Sequence, residues 1–120
     1  MIELMSAMPE NVLAFRASGM VTAEDYEEVL IPAIETALQI QDKARVLFLA
    51  DPGLEGFTPG AMWDDAKFGL SHFFSFEKFA LVSDTDWINN SVKVFGFMMP
   101  CPVKVFALDQ LEAAKSWVSG

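Results

Sequence analysis

Apolar positions along the chain switch between unbroken runs and runs spaced at three to four residues, and the switches mark out its elements. Arg45 to Ala50, RVLFLA, shows no alternation. That is the pattern of a strand covered on both faces, in the middle of a mostly parallel sheet. Lys78 to Ser83, KFALVS, reads the same way, and Val103 to Ala107 supplies a last strand. Ile2 to Ser6 and Val12 to Ala17 are short apolar stretches joined by Met8-Pro9-Glu10-Asn11, so they are expected to pair antiparallel. In the second stretch Leu13, Phe15 and Ala17 point to one face and Val12, Ala14 and Arg16 to the other, with Ser18-Gly19 expected to break the run.

Helical spacing fills the gaps between these strands. Thr22-Ala23-Glu24-Asp25 has the form of a capping box, and Tyr26, Leu30, Ala33, Ile34 and Ala37 then make one apolar face, with a bend expected near Glu28 to Pro32 where Pro32 interrupts it. Thr58-Pro59 reads as an N-cap followed by proline at the first helical position. In that second helix Trp63, Ala66, Leu70 and Phe73 form the expected inner stripe, leaving Asp64, Phe68 and His72 on another face and Phe68 as an exposed aromatic. A third helix enters at Asp84-Thr85-Asp86 and is expected to turn Ile88, Val92 and Phe95 inward and to end at Gly96. The last opens on Asp109-Gln110-Leu111-Glu112, a capping box in form, and packs through Leu111, Ala114 and Val118. The order is two strands, helix, strand, helix, strand, helix, strand, helix. Such alternation predicts right-handed crossovers and an α/β fold, one domain over residues 1–120.

Glycines and proline concentrate between Asp51 and Gly60, at the carboxyl end of the central strand, where ligands collect in open α/β sheets. That makes Asp51 to Gly60 the expected site-forming loop.

Composition excludes several functions. The net charge is -9, with ten acids against three bases in residues 1–60 and seven against five in 61–120, so phosphate backbones would be repelled and nucleic acid is excluded as a partner. The single cysteine, Cys101, closes no internal disulfide, and the N-terminal stretch has no basic leader; a cytoplasmic protein is expected. No uncharged window approaches the roughly 20 residues of a membrane span. No Ser-His-Asp order, phosphate loop, zinc spacing or dinucleotide fingerprint is present, so catalytic residues, metal and cofactor are all read as none. Asp65 and His72 lie about 10 Å apart along a straight helix, and adjacent Asp64 and Asp65 diverge by about 100°, which disfavours a joint metal or acid/base role.

The stretches LIPAIE at 30–35, GAMWDDAKFGL at 60–70, DWI at 86–88 and KVFGFMMP at 93–100 resemble the SpoIIAA-like family, a mostly bacterial group, over essentially the whole chain. The resemblance implies a STAS-like fold, also similar to the lipid-binding CRAL-TRIO domains: a mixed five-stranded sheet with a mainly parallel core, one antiparallel edge pairing and four helices. Better-known relatives are anti-sigma-factor antagonists that carry a phosphorylatable serine where this chain has Phe57-Thr58-Pro59-Gly60. Thr58 is the hydroxyl there, and it is accounted for as an N-cap.

What remains in excess is aromatic and apolar surface. The reading is therefore a non-catalytic binding module that holds a small apolar or amphipathic ligand between the helices starting at Thr58 and Asp86, lined by Phe57, Thr58, Trp63, Phe68, His72, Trp87 and Phe97. A reversible peripheral membrane contact through Lys67, Phe68, Phe73 and Phe74 accompanies it, with Lys78 and Lys93 beside these aromatics and the second helix as a flap hinged on Gly53, Gly56 and Gly60. The alternative is a regulatory protein-interaction domain related to the antagonists but lacking their serine. Monomer and homodimer both remain open.

Overall fold

Five strands follow one another across a single sheet in chain order, and that order decides where the helices go. The computed structural model describes all residues except Ala7 and Glu10, and Phe95 by its backbone alone. β1 (Ile2–Leu4) lies antiparallel to β2 (Val12–Val21), with Ile2 opposite Ala17 and Leu4 opposite Phe15. β3 (Ala44–Phe57), β4 (Phe76–Val82) and β5 (Val103–Phe106) continue the sheet parallel to β2, in the order β1-β2-β3-β4-β5. The helices are α1 (residues 23–38), α2 (Pro59–Ser71), α3 (Asp86–Met98) and α4 (Leu111–Ser119), the last entered through a 3-10 turn at Leu108–Gln110. This is the expected single-domain α/β fold, with a mixed five-stranded sheet and four helices.

Each parallel crossover steps the same way along the sheet, and a right-handed connection then puts α1, α2 and α3 on one face. Tyr26, Leu30, Ile34, Ala61, Phe68 and Ile88 accordingly share a core with Phe15, Ala17, Val21, Val46, Phe48 and Leu81. Among the described residues α4 alone of the helices crosses the opposite face, setting Ala114 and Val118 on Val12, Ala14, Leu47, Ala80, Val82 and Phe106. β3 is thus covered on both sides, as its unbroken apolar run predicts. Phe15, Leu47 and Leu81 are wholly enclosed, each side chain contributing about 1.5–3 kcal/mol of transfer free energy.

The ends of the elements depart from expectation in instructive ways. Ser18-Gly19 does not end β2: a bulge at Gly19, whose φ of 58 suits glycine, carries the strand on to Val21. The longer β2 then gives Asp51 to Phe57 a partner, with Gly19 opposite Leu54 and Val21 opposite Phe57, so the expected site-forming loop is an extension of β3. Asp51 steadies the irregular part by accepting from the Gly53 N–H at 2.8 Å and from the Arg16 guanidinium. Those two bonds hold its carboxyl below the usual carboxylate range.

In α1 the Thr22 box forms as predicted: Thr22 Oγ1 accepts from the Asp25 N–H at 3.4 Å and Asp25 Oδ2 accepts from the Thr22 N–H at 2.8 Å. Around Glu28 to Pro32, where a bend within one helix is expected, the helix runs through a π turn over Tyr26–Leu30, in which the Ile31 N–H reaches back to the Tyr26 carbonyl. The wider turn makes room upstream of the ring, which a regular helix would drive against the carbonyl four residues back. The entrance to α4 is capped by Gln110, whose Oε1 accepts from the Ala107 N–H at 2.9 Å, and not by Asp109, which is exposed. Its far end is held by two cations from the sheet: Arg45 Nη1 donates to the Val118 carbonyl at 2.9 Å and Lys78 Nζ to the Trp117 carbonyl at 3.0 Å. Lys78 therefore serves the α4 face and is not part of the aromatic group on α2 and α3.

Gly96 does not end α3, which runs on to Met98. A Cβ built there would lie 3.0 Å from the Val103 Cβ, so the glycine is the point where α3 presses on β5. Ile88 is buried and Val92 half-buried, as expected of the inner face; the expectation for Phe95 falls outside the described side chains.

Candidate functional site

Thr58 leaves the end of β3 in an extended conformation, its N–H bonded to the Val21 carbonyl at 2.9 Å, and its Oγ1 accepts from the Ala61 N–H at 3.2 Å. Pro59 follows at the first helical position, so α2 starts where the sequence places it. Which way α2 faces is a different matter. Its buried residues are Ala61, Asp64 and Phe68, while Met62, Trp63, Leu70 and Phe74 just beyond its end stand 62, 64, 80 and 73% exposed. The expected stripe of Trp63, Ala66 and Leu70 is the outer face, and Phe68 is not an exposed aromatic or a membrane contact.

The neighbours of α2 explain the inversion. Gly60 packs against Ala23 at the start of α1, where a Cβ would come within 3.3 Å of the Ala23 Cβ. This close seat rotates Asp64 and Asp65 toward α1 and Phe68 toward the sheet, where its ring lies 6.4 Å from Phe76 edge-on and 4.3 Å from His72. His72 is fixed there, its Nδ1 3.2 Å from the Phe68 carbonyl. A flap hinged on Gly53, Gly56 and Gly60 is not supported: the first two lie in a paired strand and the third at a tight helix contact.

Polar groups collect at the α1–α2 contact. The buried Tyr26 hydroxyl donates to Asp65 Oδ1 at 3.0 Å, and its own ionisation is pushed far up by burial and by the Asp65 and Asp64 charges. The close protein surroundings also push the Asp65 carboxyl up, against the opposing Tyr26 bond. Asp64 is buried (7% exposed), with Oδ1 4.0 Å from Lys67 Nζ and Oδ2 without a hydrogen-bond partner among the described residues. Glu27, on α1, is raised chiefly by the charge of Asp64, with Glu24 adding and Lys67 opposing. Asp64, Asp65 and His72 thus point to different partners: Glu27 and Lys67, Tyr26, and Phe68. Among the described residues no group of three His, Cys, Asp or Glu is placed to hold a metal ion. Cys101 is buried, and burial pushes its thiol up despite the charge of Lys43, which makes it a poor nucleophile.

The aromatic residues divide into separate groups. Phe57, at the carboxyl end of β3, meets Trp87, in the first turn of α3, edge-on at 6.3 Å. Trp63 lies on the open side of α2 with Lys67 Nζ 5.8 Å above its ring, and the half-buried Phe73 packs edge-on to the exposed Phe74 at 5.2 Å. Phe97 stands 92% exposed at the far end of α3. Helix α2 leans on α1 and α3 on β5. A cleft of about 230 Å³ lies by Leu13, Ala33 and Ile40 at the amino end of the sheet, and one of about 400 Å³ between α3 and β5. A sheet whose strands run in sequential order has no point where the order reverses, and such reversals open the ligand crevice of other α/β sheets.

The outward aromatic face of α2 was missed because helical spacing alone identifies stripes without saying which one is inside. The signal that finds it is Lys67 four residues after Trp63 with Leu70 and Phe74 beyond, an interfacial pattern on the stripe opposite Asp64 and Phe68.

These features define a single-domain α/β module whose distinctive surface is a helical aromatic face. The sequence model of the SpoIIAA-like family matches residues 12–119, and the chain belongs to that family. It is similar to the crystal structure of an uncharacterized protein of the DUF3478 family with a SpoIIAA-like fold from Shewanella loihica PV-4, at 29% identity and a TM-score of 0.80, over 98% of this chain and 93% of that one. A search of the curated proteins found no match. Among the described residues no helix is long and apolar enough to cross a membrane.

Proposed function

We propose that this chain is a non-catalytic binding module that engages an apolar or amphipathic ligand, a lipid surface being the favoured case, through the outer face of α2. The observation that carries the reading is the exposed run of Met62, Trp63, Leu70 and Phe74 with Lys67 lying over Trp63. Aromatic rings beside a lysine suit the boundary between headgroups and acyl chains, where the ring is buried and the ammonium stays in water. Burying two such side chains is worth about 3–6 kcal/mol in all. The net charge of -9 opposes anionic lipid, so the contact is weak, reversible and best with zwitterionic bilayers. Phe73 flanks the face, and the Phe57–Trp87 pair at the carboxyl end of the sheet is the place for the headgroup or chain end of a single bound amphiphile. The likeness in fold to lipid-binding CRAL-TRIO domains that the family resemblance implies accords with this reading, but fold does not transfer function.

Liposome flotation tests it. Wild-type protein is expected to float with phosphatidylcholine vesicles and to lose this with Trp63→Ser and Phe74→Ser. Equal behaviour of all three, or no flotation at any salt concentration, removes the reading and leaves a module of protein interaction. In that second reading regulation would not run through Thr58, whose hydroxyl is engaged as a cap.

A further inference from the structure

β5 is the last strand of the sheet, and among the described residues no strand pairs with its outer side. In its parallel ladder with β4, the Phe79 N–H bonds the Pro102 carbonyl at 3.0 Å and the Ser83 N–H bonds the Phe106 carbonyl at 2.9 Å. Backbone direction alternates along a strand, so Pro102, Lys104 and Phe106 turn their main chain toward β4, and Val103 and Val105 turn theirs outward. Each offers one N–H and one C=O at the rim. The close contact of Gly96 with Val103 brings α3 down beside this rim. Between them runs the open cleft of about 400 Å³ lined by Lys93, Gly96, Phe97, Val103, Lys104 and Val105.

A strand edge flanked by a helix is the geometry in which extended peptides add to a sheet. We propose that this groove binds an extended peptide segment, of alternating apolar and acidic side chains, as a sixth strand on β5. Charge selects the occupant. The chain has 17 acids and 8 bases, yet the charged side chains of the groove are two lysines, and among the described residues neither has a carboxylate within ion-pair distance. Lys93 stands on α3, above one face of the added strand. Lys104 projects from the other face, its Nζ 5.2 Å over the Phe106 ring. Apolar side chains of the peptide would lie on the α3 face, against Val103, Val105 and the fully presented Phe97; the acidic ones, on the opposite face, would reach Lys104, while Lys93 adds to the positive field at the rim. A second copy of this chain fits poorly, since pairing β5 with itself sets Lys104 near Lys104 between two bodies of charge -9, and lysine on a short edge strand is a common guard against such pairing. A lipid has no main chain to satisfy Val103 and Val105. This proposal is independent of the α2 face.

Fluorescence anisotropy with a labelled octapeptide of alternating valine and glutamate tests it, read beside amide shifts in 15N-resolved NMR. Binding is expected with the Val103 and Val105 amides shifting most. A peptide N-methylated on its outward-bonding residues should lose about tenfold or more, the equivalent of one or two main-chain hydrogen bonds. A valine–lysine peptide should lose as much, and the Lys93→Glu, Lys104→Glu protein should reverse the preference between the two. N-methylation changes only the peptide, so this arm does not depend on a variant folding. Absence of binding at about 1 mM peptide, tolerance of N-methylation, shifts centred on α2, or a dimer that the peptide dissociates would each overturn the proposal.

Discussion

Asp64 is buried with one carboxyl oxygen unpartnered, and the helix facing it carries Glu27 and Glu24. Lys67 from α2 is the counter-charge, while Tyr26 and Asp65 form their own pair alongside. Because the raised Glu27 carboxyl holds its proton more tightly in the folded protein, its contribution is fully present below the ordinary glutamate value and is lost as pH rises through the raised one. Asp51 acts in the opposite sense: lowered by Gly53 and Arg16, it contributes above the usual aspartate value and its share disappears as pH falls through the lowered one. Asp64→Asn removes the repulsion and supplies a donor. Thermal unfolding is expected to show the variant more stable than wild type at pH 7, with the gap closing as pH falls through the raised Glu27 value. A gap that is constant with pH would mean that the two carboxyls do not interact. Thr58→Ala should cost about 1 kcal/mol in urea unfolding without altering flotation, because the hydroxyl caps α2. An unchanged midpoint would show that Pro59 fixes the start alone.

At the scale of elements, two helical glycines of similar appearance do different things. Gly96 is pressed against Val103, whereas a Cβ at Gly69, in α2, would meet nothing within 4 Å. Gly96→Ala should therefore destabilise by about 1–3 kcal/mol through overlap with the strand, and Gly69→Ala should stabilise by about 0.5–1 kcal/mol through the unfolded chain. Denaturant midpoints moving in the same direction would refute the packing account. The π turn before Pro32 and the bulge at Gly19 are likewise local answers to global demands. The π turn accommodates the proline inside one helix, and the bulge lets β2 continue where sequence alone predicts a stop.

For the molecule as a whole, acidity is the dominant field. Self-repulsion at a net charge of -9 opposes the compact state, and raising the ionic strength to about 0.15 M shortens its range to about 8 Å. Melting temperature is expected to rise with added sodium chloride over that range, while the Arg16–Asp51 and Arg45–Glu77 pairs lose little because surface pairs contribute little. A fall in melting temperature would place the net electrostatic contribution in those pairs instead. The uneven covering of the sheet, three helices on one face and one on the other, follows from strand order and handedness together.

Periodicity and local hydrogen bonding were enough to determine much of this protein. The two-sided burial of β3, the antiparallel β1–β2 pair, the caps at Thr22 and Thr58 and the inward residues Tyr26, Leu30, Ile34, Ala114 and Val118 all depend on contacts within a few residues or on the side-chain period. The motifs WDDAKFG and FGFMMP carried the family. Tertiary structure alone decided the rest. α2 has apolar residues on two stripes, and the choice between them was made by Gly60 against Ala23, Tyr26 at Asp65 and Phe76 behind Phe68, which are all distant in sequence. Asp51 to Phe57 became strand because a lengthened β2 lay beside it, and Gly96 became a contact because β5 passed beneath it. Local propensity is a weak term, and where two arrangements are locally equal the partner that arrives from elsewhere in the chain selects one.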